Sequence, residues 1–144
     1  MEPKAFLDLA ENLKDGKNEA SWRTSVSRSY YALFNLAAQF VKPNFPDIFA
    51  KSRYAKDHDT IYKYLYNCGV EDVELLAGDM HDLRDERNAA DYDVESNTFG
   101  NKHADAMYKK ASRAIQKLEQ ATASEEGKKA IIKGIESYKK LTNS

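Results

Sequence analysis

On the stretch from Glu71 to Ala90, one position sets residue type against spacing. Val73, Leu76, Met80 and Leu83 recur at steps of three and four, which lays them on one face of a helix. The same rhythm continues to Arg87 and then Ala90, so a guanidinium stands where the pattern assigns a core residue. Arginine is seldom fully buried unless paired. Two readings follow. Arg87 either snorkels to the helix edge and pairs with Asp91 one turn later, an exposed contact worth about 0.2–0.5 kcal/mol. Or it points into a cleft or subunit seam, where its planar fork holds a phosphate or another anion.

The other residues capable of chemistry form no familiar signature. The sequence has no glycine-rich phosphate loop, no paired cysteines and no nucleophile elbow. His58, His81 and His103 fall on separate elements. Asp57 and Asp59 flank His58, and Asp79, His81 and Asp82 cluster, but neither group has the i, i+4 histidine pair of a metal-binding helix. No metal and no cofactor are therefore expected. Cys68 is the single cysteine, so no intramolecular disulfide is available, and it reads as a small core residue.

Charge is unevenly placed along the 144 residues. Residues 1–100 hold twelve Lys/Arg against eighteen Asp/Glu, a net −6, and residues 101–144 hold ten against five, a net +5. From Glu71 to Glu95 there are ten acidic residues and only Arg84 and Arg87 as Lys/Arg cations. Phosphate contacts dominate nucleic-acid affinity, so an RNA would meet a largely acidic helix there unless the basic C-terminal segment lies close by. On its own that segment reads as a solvated helix face.

Helical spacing runs through the whole chain, and no segment alternates with a period of two. The first helix is expected over Pro3–Lys14, with Pro3 in the first turn and Gly16 just past the end. The second, from Glu19 to about Val41, carries Trp22, Val26, Tyr30, Leu33, Ala37 and Phe40 on one stripe, and Pro43 and Pro46 then open a loop of some ten residues. A third helix is expected from Asp57 or Asp59 to a stop at Gly69, a fourth from Glu71 to Ala90, a fifth from Asn101 to Ala121, and a sixth restarting after Ser124. The predicted fold is all-α, an up-and-down bundle of five to six helices. Residues 1–122 form the bundle, and residues 123–144 add a basic C-terminal helix packed on the same domain. No apolar run approaches the roughly 20 residues that cross a bilayer. Met1 to Leu13 lacks a basic start followed by an apolar core, so no membrane association and a cytoplasmic location are expected.

Two motifs carry a resemblance. From Leu83 the chain reads LRDERNAADYD, and upstream it reads SRSYYALFNLAAQF. Together they resemble a branch of the HEPN superfamily of nucleotide- and RNA-associated helical bundles. In that branch a long second helix carries a Tyr-Tyr-Ala-hydrophobic-Phe stretch, and a late helix ends in Arg-Asn-x-x-Asp-Tyr. The resemblance covers roughly residues 5–120, with KSRYAKDHDTIYKYL where the family has a variable connection. It implies that Arg87 is the motif arginine and Asn88 its polar neighbour, while Tyr92 stands where active ribonucleases of the family place histidine. In those enzymes, the resemblance implies, histidine and arginine act across a dimer interface on an attacking 2′-hydroxyl and the adjacent phosphate. A tyrosine titrating near 10 is a poor base beside an imidazole near 6.5, so the binding half of the site is expected to survive without its proton carrier.

Three functions are therefore in view. The first is a homodimeric HEPN protein, nucleotide- or RNA-associated, with a degenerate nuclease motif, acting as partner of a small nucleotidyltransferase in a toxin–antitoxin-type pair. The second is a metal-independent ribonuclease toxin using Arg87 and Tyr92. The third is a non-catalytic helical interaction module. The expected ligand or interface set is Arg28, Tyr31, Arg87, Asn88, Asp91 and Tyr92, with the second and fourth helices near the seam.

Overall fold

A computed structural model describes residues 2–50, 54–95 and 99–142. Among them the chain is all-α, with seven helices and no strand: α1 Pro3–Lys14, α2 Glu19–Asn44, α3 Pro46–Phe49, α4 Tyr54–Tyr66, α5 Glu71–Tyr92, α6 Asn101–Ala121 and α7 Glu125–Thr142. Fold class thus follows the three–four spacing, but the helix count exceeds the predicted five to six. The addition is α3, which starts at Pro46 inside the expected loop. A proline at the first helical position gives up an N–H that would have had no partner in any case. Likewise α2 runs past Val41 through Pro43. In the last turn only one backbone bond is lost, and the Asn44 side-chain amide donates to the Phe40 carbonyl at 2.7 Å. The helix expected from Asp57 begins at Tyr54. Residues 51–53, part of the variable connection, lie outside the described residues.

The chain divides into two compact units. One takes residues up to Leu36 together with Asp79–Ile115; the other takes Ala37–Gly78 and Gln116 onward.

In the first unit, Val26, Ala90, Phe99 and Ala104 form a buried cluster with Trp22, Ala89 and Met107 packed against it. Polar links register the helices around it. The Ser25 hydroxyl donates to the Ala10 carbonyl at 2.7 Å, tying α2 to α1, and the Trp22 indole N–H donates to the Gly16 carbonyl at 2.8 Å. Lys14 pairs with Asp105 at 3.1 Å, and the Tyr108 hydroxyl bonds Glu11, so α6 is held to α1 twice.

The second unit buries Phe45, Ile61, Tyr64, Leu65, Ile131 and Ile135. Tyr64 makes edge contacts with Phe45 at 5.5 Å and Tyr138 at 6.4 Å. The carboxylate of Asp57, itself buried, is taken by Lys42 at 2.7 Å. Gly69 follows α4 with φ of +80°, the left-handed turn that glycine enters without strain. Gly134 of α7 passes so near the end of α4 that a Cβ there would overlap the Cys68 carbonyl. Cys68 is buried, and burial pushes its thiol pKa up, as a core cysteine requires.

Candidate functional site

The stripe read from the sequence faces inward. Val73, Leu76, Met80, Leu83 and Ala90 are all buried, and the Arg87 side chain between them is 12% exposed. Its guanidinium carbon lies 5.7 Å from the Tyr30 ring centroid and 5.2 Å from that of Tyr31. Cation–π attraction on two adjacent rings of α2 contributes on the order of 0.5–2 kcal/mol, more as water is excluded. The tyrosines themselves meet edge to face at 5.3 Å, and Tyr30 stacks on Phe34 at 5.9 Å, so the arginine rests on an aromatic surface that α2 holds rigid.

The polar contacts of Arg87 are sparse by comparison. Nη1 stands 3.8 Å from the Asp91 carboxylate, an ion pair too long for a hydrogen bond, and the buried Nε has no hydrogen-bond partner. Asp91 also accepts from the Ser27 hydroxyl at 3.3 Å, which draws the carboxylate toward α2. Neither sequence reading therefore describes the side chain fully. It pairs with Asp91, yet it stays largely buried and keeps donor capacity unspent.

A second guanidinium shares the platform. Arg28, one position after Ser27 on α2, lies 5.6 Å from the Tyr31 centroid and 5.8 Å from the Phe6 centroid, and Phe6 tilts against Tyr31 at 6.5 Å. Two cationic groups thus approach one tyrosine ring. Each guanidinium is able to take a carboxylate or a phosphate through two parallel N–H bonds.

Of the residues singled out in the sequence, the structure brings Arg28, Tyr31, Arg87 and Asp91 together. It does not add the other two. Asn88 is exposed, and Tyr92 is 75% exposed at the end of α5. At about 100° per residue, five positions turn Tyr92 some 140° around the axis from Arg87, whereas Asp91 at four positions returns to nearly the same face.

Two neighbours were not legible in the sequence. Arg23 caps α5, its Nη1 donating to the carbonyls of Ala89 at 3.3 Å, Ala90 at 3.0 Å and Asp93 at 2.8 Å, while it pairs with Glu19 at 3.2 Å and covers the Phe99 ring at 4.5 Å. The signal was the lack of any basic residue in the last turn of α5, whose carbonyls then require a cation from elsewhere. His103 of α6 bonds Glu86 at 2.7 Å and packs edge-on against Phe99 at 5.4 Å. Seventeen residues separate that pair, and no spacing rule announces it. Among the described residues no three His, Cys, Asp or Glu converge as a metal would need, and no helix is long and apolar enough to cross a membrane.

No family model matches the chain, and no solved structure matches it. An uncharacterized protein of Methanocaldococcus jannaschii is similar at 30% identity, with 62% of this chain and 59% of the relative covered. The chain thus spans less than two thirds of that relative's length.

Proposed function

We propose that this chain is a HEPN-like protein that binds phosphate groups of a nucleotide or RNA through Arg87 and Arg28 at the seam of a homodimer. In this reading it works in the cytoplasm as partner of a small nucleotidyltransferase, in a toxin–antitoxin-type pair, with the nuclease motif degenerate. The observation that carries the reading is the pair of guanidinium groups, 5.2 and 5.6 Å from the single Tyr31 ring. A structural arginine would be expected to spend its donors on carboxylates, whereas Arg87 has a long contact to Asp91 and an unbonded Nε. The resemblance of RNAADYD to the family motif supports the same assignment.

A second reading has its own support. The 75% exposure of Tyr92 leaves it available to another copy of the chain, so a metal-independent ribonuclease would have to bring Tyr92 to Arg87 in trans. In a helical interaction module without chemistry, Arg87 would matter to ligand binding no more than Arg84.

The test combines sedimentation with anisotropy of a labelled single-stranded RNA. A dimeric mass is expected, with Arg87→Met and Arg28→Met each weakening RNA binding about tenfold or more. Arg84→Ala, off the inward stripe, should change little. A monomer at tens of micromolar, or equal and negligible effects of Arg87→Met and Arg84→Ala, overturns the proposal.

A further inference from the structure

The second unit contains a cleft of about 350 Å³, within the range of small-molecule sites. Lys56, Thr60 and Lys63 form one wall. Their spacing of four and three puts them on one face of α4, with Thr60 between the two lysines along the helix. Tyr138 and Thr142, one turn apart on α7, form the other wall, and Tyr64 forms the floor.

The walls differ in chemistry. Tyr64 is 4% exposed and fixed by edge contacts with Phe45, Phe49 and Tyr138 at 5.5, 6.3 and 6.4 Å, so the inner part of the cleft is aromatic and preformed. Burial, with the Tyr138 phenol beside it, pushes the Tyr64 pKa up, which keeps that hydroxyl neutral. The Thr142 hydroxyl is committed to the Tyr138 carbonyl at 2.9 Å, leaving the two lysines as the cationic donors of the lining, beside the Thr60 and tyrosine hydroxyls. No carboxylate is among the described lining residues, and the nearby Asp57 is neutralised by Lys42. Two flexible cations and a hydroxyl around one mouth suit a compact dianion, and the aromatic interior suits a flat apolar body. A phosphomonoester carries about −1.5 to −2 at pH 7 and so matches two lysines.

We propose that this cleft binds a small aromatic phosphomonoester, its ring against Tyr64 and Tyr138 and its phosphate between Lys56, Lys63 and the Thr60 hydroxyl.

The probe is phenyl phosphate, followed by amide chemical shifts in the full chain. Saturable shifts are expected at residues 56–64 and 138–142. Lys56→Met and Lys63→Met, which keep the apolar stem of an exposed side chain, should each weaken binding about fivefold or more. Phenol and inorganic phosphate, each carrying half of the recognition, should bind at least about tenfold more weakly than the ester. Arg87→Met should leave the affinity unchanged, which separates this site from the one proposed above. Absent or unsaturable shifts, shifts confined to the residues around Arg87, inorganic phosphate binding as tightly as the ester, or indifference to both methionine variants would each overturn the proposal.

Discussion

The guanidinium of Arg87 is nearer in function to the ring of Tyr31 than to the carboxylate of Asp91: it covers the ring at 5.2 Å, while the carboxylate stands off at 3.8 Å, beyond hydrogen-bond reach. For a largely buried cation, the desolvation of an Nε without a hydrogen bond offsets the attraction of the two rings. Removing one partner of an ion pair is costly where it strands a buried charge, but Asp91 is 33% exposed and keeps the hydrogen bond from the Ser27 hydroxyl, so Arg87→Met leaves no buried charge behind. Arg87→Met is therefore expected to leave the thermal midpoint unchanged or raised. A clear fall in the midpoint on Arg87→Met would make the residue structural.

Arg23 is the opposite case. Its Nη1 contacts three carbonyls at the end of α5, and no basic residue in the last turn substitutes for it. Hydrogen bonds from a charged donor contribute about 1.5–3 kcal/mol, so Arg23→Ala should cost roughly 2–3 kcal/mol in chemical denaturation. Amide exchange should also quicken selectively from Ala89 to Asp93. Uniform exchange with unchanged stability would show that solvent caps the helix as well as the arginine does.

Gly134→Ala separates propensity from packing. In an exposed helix interior the change would stabilise by about 1 kcal/mol. Here the added Cβ would overlap the Cys68 carbonyl, a backbone atom that cannot rotate away. Overpacking of this kind costs about 1–3 kcal/mol, so net destabilisation is expected in a urea titration. A gain in stability would mean that α7 shifts readily against the end of α4.

Much of this architecture was legible because helical burial has a period. The inward stripe of α5 and the place of Arg87 on it follow from steps of three and four. Relations between helices were not legible in the same way. Nothing in the local sequence pairs His103 with Glu86, or Arg23 with carbonyls 66 to 70 positions away. The grouping of Arg87 and Tyr92 in one expected site came from the family motif, and helix geometry divides it: position five turns away where position four returns.

The tie between α1 and α6 should depend on pH. Hydrogen bonds from Lys109 and then Lys14 hold the Asp105 carboxyl below its ordinary range, and the Asp105 bond chiefly raises Lys14. A depressed carboxyl stabilises the fold at pH above its unfolded value of about 3.9. That contribution is lost as pH falls through the lower folded value. Asp105→Asn should therefore melt slightly below wild type at neutral pH, and the two curves should converge as the pH drops below the unfolded value. A gap of constant size from neutral pH down to pH 2 would assign the effect to packing instead of charge.

The isolated protein is expected to cleave RNA weakly or not at all. The position that the resembling motif fills with a near-neutral base holds Tyr92, and a phenol is a poorer proton acceptor than an imidazole at neutral pH. In this chain Tyr92 is 75% exposed and turned away from Arg87, so within one subunit it cannot present a base to a phosphate held there. His81 lies six residues before Arg87 on α5, on the order of 9 Å along the axis, and His103 is engaged with Glu86. A metal-free assay on single-stranded and structured RNA, with wild type, Arg87→Ala and Tyr92→His, decides the matter. Silence from the first two and cleavage by Tyr92→His would mean that the binding frame is intact, that only the proton carrier is missing, and that the histidine reaches the phosphate from a second copy. Robust wild-type cleavage lost in Arg87→Ala would instead make Tyr92 or another group a working acid–base catalyst and establish the ribonuclease reading.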